Sequence, residues 1–422
     1  MQYTKNEIKK GVTLHYINTN KFKTNLYAVF LTVPLDRKNV TKNALITAIL
    51  RRGTNNIKSQ DLINMKLEEM YGASFDCGIE KTGDNHVMKF YLEAVNEEFL
   101  PEKEELTKKC INLLFDMIFN PLIENDGFKR EYVDGEKKNL KQIIESKIDN
   151  KRTYSLERCI EEMFRDEPYG LYRYGYVEDL ETLTPQNLYE YYIDLINRCK
   201  IDIFVSGEIE KGSIENIVKA NEEIKKLKER KADYKIIGLN EKTIKETKTI
   251  EEHMQVGQGN LVIGLNVNKR DKHSKFVASV YNAILGGGAN SKLFQNVREK
   301  ESLAYTAGST YKKQKDAVFI RCGIEIANYE KALNTIKKQL EDMKQGNFTE
   351  EDIENSKKLI TESIVGISSE QDAEITYCYS QELANEFITL EEYIEGVNKV
   401  SKKEIIDLAS NTLIDTIYFL RD

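Results

Sequence analysis

Residues 285–305 read LGGGANSKLFQNVREKESLAY and form the densest motif of the chain. Its three glycines follow an apolar helical segment that starts at Phe276. Glycine commonly follows a helix, because it adopts the left-handed backbone that ends one. The spacing fits neither G-x-x-x-x-G-K-[ST] nor G-x-G-x-x-G, so a phosphate-binding loop is not indicated. The local pattern predicts a helix C-cap and a tight turn into the next helix.

The elements around this motif repeat an earlier part of the chain. Each half is predicted to contain an apolar strand, a helix that ends near glycine, a second helix that starts at a serine, and a hairpin strand with period-two alternation. In the first half these segments are the strand 26–33, the helix 44–53, the helix that starts at Ser59, and the hairpin strand 88–94. In the second half they are the strand 260–267, the helix 276–286, the helix that starts at Ser291, and the hairpin strand 320–326. A long charged helix (129–147 and 350–367) and a closing strand (201–205 and 417–420) complete each half. This pattern predicts a duplicated domain.

Strands interleaved with helices, and hairpins in place of parallel crossovers, predict an α+β fold. We expect two homologous domains, each an antiparallel sheet with helices on one side. The predicted boundaries are 1–228 for the N-terminal domain and 251–422 for the C-terminal domain. The polar, lysine-rich segment 229–250 between them is the predicted linker.

Composition excludes several classes of function. The net charge of -7 disfavours nucleic acid as a partner, because binding to phosphates requires a basic surface. The longest mostly apolar run, 26–35, is far shorter than the ~20 residues of a membrane-spanning helix. The charged N-terminus lacks the apolar core of a secretion signal. Six scattered cysteines without a C-x-x-C pair indicate free thiols, so we expect a cytoplasmic protein.

The motif at 285–305 resembles the C-terminal-half signature of the insulinase/pitrilysin (M16) superfamily of zinc peptidases, and the resemblance covers nearly the whole chain. It implies a duplicated domain of the LuxS/metallohydrolase-like class that encloses a chamber. The family's signature carries an Arg/Tyr pair seven residues apart, which Arg298 and Tyr305 match. The resemblance implies that this pair binds the substrate backbone and helps polarise the carbonyl group under attack. Without the resemblance, an arginine on a polar helix and a tyrosine in a strand would indicate only surface and packing roles.

The residues that should hold zinc in this family are absent. The family binds zinc with both histidines of His-x-x-Glu-His, and the glutamate of that motif is the general base. Alignment on 52–54, which matches the family's Lys-Gly-Thr, puts these positions at Ala44, Thr47 and Ala48. Zinc requires imidazole, carboxylate or thiolate ligands, which these side chains cannot supply.

The second part of the zinc motif is incomplete as well. The family's Glu-(x6)-Glu pattern aligns with 136–143, so Glu136 is retained and the ligand position becomes Ile143. Glu145 lies two residues further on, about 200° around a helix, and should face away. No two of the four histidines are spaced i,i+4, so we expect no metal site and no cofactor in this chain.

Three hypotheses follow from this pattern. The chain resembles the zinc-less chains found beside zinc-bearing ones in Gram-positive bacteria, which implies a non-catalytic subunit. Such a subunit would bind peptide and supply Arg298 and Tyr305 to a zinc-bearing M16 partner, in a heterodimer or after self-association. The alternative is a structural or binding scaffold with no proteolytic role. A peptidase with an unrecognised site is the third possibility.

Overall fold

This computed structural model describes residues 2–231, 246–268 and 271–422. These residues form two compact units that contain one large sheet each. The first unit comprises the described residues of 2–146, 171–231 and 368–387. The second unit comprises 147–170, 246–268, 271–367 and 388–422.

The strands and helices of residues 2–231 come in the following order: β1 (Gln2–Lys9), β2 (Val12–Asn18), β3 (Thr24–Pro34), α1 (Val40–Leu50), α2 (Gln60–Glu69), β4 (Ser74–Thr82), β5 (Asn85–Val95), α3 (Leu106–Phe119), β6 (Ile123–Glu124), β7 (Gly127–Phe128), α4 (Arg130–Glu145), α5 (Lys151–Met163), α6 (Val177–Leu180), α7 (Pro185–Arg198), β8 (Lys200–Gly207), α8 (Lys211–Ala220) and α9 (Glu222–Lys226).

Those of the described residues from 246 onward are β9 (Lys248–His253), β10 (Gly259–Val267), α10 (Ser274–Gly286), a π-helix (Phe294–Lys300), β11 (Ala304–Lys312), β12 (Ala317–Ile324), α11 (Tyr329–Lys344), α12 (Glu350–Ile367), α13 (Gln371–Ala384), α14 (Leu390–Asn398), α15 (Lys402–Ser410) and β13 (Thr412–Arg421).

The first sheet has the order β1-β2-β8-β3-β5-β4 and is antiparallel except for the pair β2–β8. Its central strand β3 is buried on both faces, which explains the unbroken apolar run in the sequence. Tyr27, Val29 and Leu31 belong to the main core with helices such as α1 and α3. Ala28 and Phe30 face the opposite side.

Helix α13 covers part of that opposite face. Ile375, Cys378 and Tyr379 pack in one apolar cluster with Ala28 and Phe30 of β3. Helix α13 comes from the second half of the sequence, yet it belongs to the first unit. The first unit therefore contains a helix that the sequence order assigns elsewhere.

The second sheet has the order β11-β12-β10-β13-β9 and is antiparallel except for the pair β13–β9. Helix α5, from the first half of the sequence, packs against this sheet. Cys159 and Met163 of α5 share a buried cluster with Val262, Phe319 and Tyr418 of three strands. Each unit thus combines its own sheet with one helix from the other half of the chain.

The predicted α+β fold with two homologous units is confirmed. Each unit has a helix on the second face of its sheet as well, and each sheet includes one parallel pair of strands. The predicted boundaries 1–228 and 251–422 follow the sequence, whereas the compact units exchange α5 and α13. Most of the predicted linker, 229–250, lies outside the described residues, and β9 begins at Lys248.

The two serines that were predicted to cap equivalent helices differ in the structure. Ser59 is the N-cap of α2, and its side chain accepts a hydrogen bond from the Leu62 N–H. The Ser291 hydroxyl instead donates to the Gly288 carbonyl at 2.6 Å, and the segment after it is a π-helix. The duplicated plan is therefore altered where the second half carries its glycine-rich motif.

Two further features bear on the expectations from composition. In the described parts of the chain, no helix combines the length and the apolar character needed to cross a membrane. All six cysteines are free thiols, and five of them are buried.

Candidate functional site

The positions that align with the family's zinc motif lie on helix α1 of the first unit. Ala44 and Thr47 are buried, and Ala48 is partly exposed. The Thr47 hydroxyl donates to the Asn43 carbonyl at 2.8 Å, one turn earlier on the same helix. Two methyl groups and a hydroxyl that bonds its own helix do not fit the ligand set of zinc.

Helix α4 packs against α1 and carries the other two positions of the motif. Ile143 is 43% exposed and offers no donor atom. The carboxylate of Glu136 is buried and lies 3.4 Å from the Arg52 guanidinium. It also accepts a hydrogen bond from the Asn139 side chain at 3.1 Å. The one retained carboxylate of the motif therefore pairs with an arginine of the same chain.

A residue of another type that can bind metals lies near these positions within the described residues. Cys77 of β4 is the nearest thiol, and its Sγ–H donates to the Thr47 carbonyl at 3.6 Å. Burial raises the pKa of the Cys77 thiol to about 11, which keeps it protonated at neutral pH. Across the described residues, no group of three or more His, Cys, Asp or Glu side chains could hold a metal ion.

His86 joins three elements around the N-terminal part of α1. Its Nδ1 lies 3.0 Å from the Asn43 amide nitrogen, and its Nε2 lies 2.9 Å from the Arg173 carbonyl. The Asn43 amide oxygen accepts a hydrogen bond from the Tyr191 hydroxyl. Burial lowers the pKa of His86 to about 3, so a neutral ring accepts at Nδ1 and donates at Nε2. Sequence spacing could not reveal this contact, because the partners lie 43 and 87 residues away.

His15 is buried in a second polar cluster of the first unit. Its Nε2 lies 2.8 Å from Asp202, and its Nδ1 lies 2.7 Å from the Tyr3 hydroxyl. Burial alone would raise the pKa of Asp202, but the charges of Lys200 and the hydrogen bond from His15 lower it overall. Tyr3 donates onward to Glu382 of α13. The cluster joins α13 to the first sheet.

The predicted Arg/Tyr pair lies in the second unit, on the π-helix and on β11. The turn between them is closed by a hydrogen bond of 3.0 Å from the Leu303 N–H to the Val297 carbonyl. Ser302 has a left-handed backbone with φ of 50°, which sharpens this turn. The segment after the glycines is therefore a defined turn and not a loose loop.

Tyr305 and Arg298 both project into solvent. Tyr305 is 62% exposed and occupies a bulge, where the pairing of β11 with β12 passes from Ala304 to Thr306. Its hydroxyl has no hydrogen-bond partner among the described residues. The Arg298 guanidinium stacks on the Phe294 ring and lies 3.6 Å from Glu299. Neither polar group contributes to the core of this unit.

Gly286 allows helix α10 to lie close to β11, the strand that carries Tyr305. A Cβ at Gly286 would lie only 2.5 Å from the Ser309 backbone nitrogen and 2.9 Å from the Gly308 carbonyl carbon. The Ser309 hydroxyl donates to the Asn282 side chain of α10 at 2.8 Å. The first glycine of the motif is thus required for close helix–strand packing.

Both sheets end in a hairpin strand with an open edge. Strand β4 is last in the first sheet, and β11 is last in the second. The outer edge of each is free of other strands in the part of the chain that the structure describes. An open edge presents unpaired N–H and C=O groups, which an extended peptide can bind by adding a strand.

Comparisons with known proteins agree with this geometry. Residues 182–360 match a family described as the peptidase M16 inactive domain. A Bacillus subtilis (strain 168) protein described as "Probable inactive metalloprotease YmfF" is 33% identical, over 99% of this chain and 98% of its own length. The crystal structure of a conserved protein from Enterococcus faecalis V583 is similar with a TM-score of 0.92 and 28% identity, and covers 100% of this chain and 99% of that one.

A more distant structure shows the same fold. The peptidase M16 inactive domain from Pseudomonas fluorescens is 16% identical, with a TM-score of 0.79 over 100% of this chain and 98% of that chain.

Proposed function

Because the chain belongs to the M16 peptidase family as a non-catalytic homologue, we propose that it is the helper subunit of a two-chain peptidase. It binds an extended peptide and supplies Arg298 and Tyr305 to the active site of a zinc-bearing M16 partner. The zinc ion is held by the partner alone, since the positions at Ala44, Thr47, Ala48 and Ile143 offer no ligand set. The free cysteines support a reducing, cytoplasmic location for this complex.

The observation that carries the proposal is the exposure of Tyr305. An aromatic side chain that is 62% exposed, with a free hydroxyl, contributes little to stability. The structure nevertheless fixes its position through the bulge in β11 and the closed turn before it. A hydroxyl and a guanidinium held in place and open to solvent suit hydrogen bonding to a peptide carbonyl from outside the chain.

The open edge strands support an extended peptide as the ligand. A peptide added beside β11 would run next to Tyr305, which is the second residue of that strand. Backbone hydrogen bonds of this kind are independent of side-chain identity, so they suit a ligand that is unfolded.

A reconstituted complex tests the proposal. The chain and a zinc-bearing M16 protein from the same cell are purified, mixed and assayed on an unfolded peptide. We expect the Tyr305→Phe variant to lower kcat by roughly a hundredfold or more, because one donor to the developing oxyanion is lost. Tyr71→Phe is the matched control, since Tyr71 is also exposed and its hydroxyl contacts only Glu104. An unchanged kcat for Tyr305→Phe would favour the scaffold hypothesis.

Metal analysis tests the division of labour. The isolated chain should contain no stoichiometric zinc and should not cleave peptide, whereas the complex should contain zinc in the amount of its partner. About one zinc per isolated chain would contradict the proposal. Light scattering on the same samples distinguishes a heterodimer from self-association.

A further inference from the structure

A groove of about 680 Å³ crosses the first unit on the face of the sheet that carries α13. Its floor is formed by residues of β4 and β5, including Asp76, Gly78, Tyr91 and Glu93. The first turn of α13 and the segment 173–174 form its walls. The groove is distinct from the Arg/Tyr segment, which belongs to the second unit.

One side of the groove is the open edge of the sheet. In the hairpin, Asp76 pairs with Tyr91 and Gly78 pairs with Lys89, so their side chains share the groove face. Along an edge strand, the N–H and C=O groups of successive residues point alternately toward the neighbouring strand and away from the sheet. The Cys77 N–H donates to the Asp76 carboxylate at 2.8 Å, and no strand lies beyond β4 in the described residues. A ligand in this groove can thus contact both the face and the edge of β4.

The floor carries no side chain at Gly78. Gly78 sits there with a φ outside the left-handed region, and a Cβ built on it would meet no atom within 4 Å. Tyr91 and Tyr174 also line the groove, and the Arg173 guanidinium lies 5.0 Å from the centre of the Tyr174 ring. The shape of the groove therefore suits an extended chain with side chains on both sides.

The charges of the lining are strongly unequal. The carboxylates are Asp76, Glu80, Glu93, Glu370 and Asp372, and the cations are Lys89 and Arg173. Lys89 is already paired with Glu80 at 2.5 Å. The other four carboxylates have no ion pair with any described residue. They are distributed along both strands and the helix, which does not suit a single metal ion.

We propose that this groove binds an extended peptide segment rich in lysine or arginine. The inference rests on the proposed function, because it specifies the class of peptide that the helper subunit recruits. Four unpaired carboxylates complement cationic side chains, and the open edge of β4 complements an extended backbone. The ring of Tyr91 lines the same groove and can add a cation–π contact to these side chains.

Peptide binding by the intact chain tests the inference. Three labelled peptides of about ten residues, the length of a long strand, share one sequence with Lys, Gln or Glu at alternate positions. Fluorescence anisotropy gives the Kd of each peptide at low and at high salt. We expect the Lys peptide to bind most tightly and to lose affinity as salt screens the carboxylates.

Two variants place the binding in this groove. Glu93→Gln with Asp372→Asn removes two unpaired charges and should weaken the Lys peptide roughly three- to tenfold, with less effect on the Gln peptide. Asp134→Asn with Glu190→Gln is the matched control, since both are exposed carboxylates of the first unit outside the groove.

Gly78→Leu should block binding of the Lys and Gln peptides alike. Gly366→Leu is its control, because Gly366 also has open space around a Cβ.

The outcomes separate this inference from the function on which it rests. Equal affinity for the Lys, Gln and Glu peptides would overturn the cationic preference and leave peptide binding intact. A Lys preference that Gly78→Leu and the charge variant leave unchanged would overturn the placement in this groove. Failure to bind any of the three peptides would overturn both the inference and the peptide-binding part of the proposed function.

Discussion

At the scale of single residues, the positions predicted to align with the family's zinc motif are ordinary packing positions. Ala44 and Thr47 are buried in α1, and the buried carboxylate of Glu136 lies beside the Arg52 guanidinium. Removal of Arg52 would leave that carboxylate buried without a counter-charge, which is costly in a protein interior. The ion pair between Arg52 and Glu136 is therefore expected to have a structural role.

His86 gives a prediction about pH and stability. The pKa of His86 is about 3 in the folded chain and near 6.5 when unfolded, so the unfolded state binds the proton first as pH falls. The stabilising effect of a neutral His86 is fully present above pH 6.5 and is lost between pH 6.5 and 3. Because of this group, the free energy of unfolding measured by urea denaturation should be about 2 kcal/mol lower at pH 5 than at pH 6.5.

Substitution of His86 tests that assignment. The His86→Gln variant should be less stable at pH 7 but should lose less stability than the wild type between pH 6.5 and 5. His273→Gln, at a partly exposed histidine beside Glu404, is the control. The lowered pKa of Asp202 acts only at lower pH, so it does not obscure this window. A pH slope that is identical in wild type and His86→Gln would contradict the prediction.

At the scale of elements, the packing of α10 against β11 positions the Arg/Tyr segment. Gly286→Ala would place a Cβ against the Ser309 backbone, which cannot move as a side-chain end could. We expect destabilisation of roughly 1–3 kcal/mol, as in other overpacked sites. Gly366→Ala in α12 should be neutral or stabilising by about 0.5–1 kcal/mol, since its Cβ meets nothing and alanine favours helix. Chemical denaturation of both variants checks this, and equal stability would show that α10 and β11 can separate freely.

The same elements show how much of the fold the sequence predicts. Period-two alternation identified β5 and β12, and Ser59 marked the start of α2, because these signals depend on neighbours in sequence. A helical segment also begins directly after Ser291, but the Ser291 hydroxyl bonds the Gly288 carbonyl and the segment continues as a π-helix. The pairing of Glu136 with Arg52 and the contacts of His86 were not predictable, since they join residues far apart in the chain.

At the scale of the whole molecule, the exchange of α5 and α13 was also invisible to sequence reasoning. Both helices have apolar residues at helical spacing, but that pattern does not tell which sheet they cover. The predicted Arg298 and Tyr305 were located by resemblance alone, and their exposure became known only from the structure. The groove of the first unit is lined by residues of segments as far apart in sequence as 76–93 and 370–376, so no local motif indicates it.

The helix exchange predicts how the chain behaves when it is divided. A fragment of residues 2–231 lacks α13 and exposes Ala28 and Phe30, and a fragment of 246–422 lacks α5 and exposes Phe319. Large apolar patches of this kind favour association, so each fragment alone should aggregate or bind a hydrophobic dye. Co-expressed fragments should copurify as a 1:1 complex, because each returns a helix to the sheet of the other.

The interface is tested by charges placed on the exchanged helices. Ile160→Asp in the first fragment together with Tyr379→Asp in the second should abolish copurification. Ile160 is buried in the cluster with strands of the second sheet, and Tyr379 is buried in the cluster with strands of the first sheet. Glu157→Gln with Glu386→Gln leaves both apolar faces intact and should not affect it. Fragments that are each monomeric, unfold cooperatively and fail to bind one another would show that the two halves of the sequence fold independently.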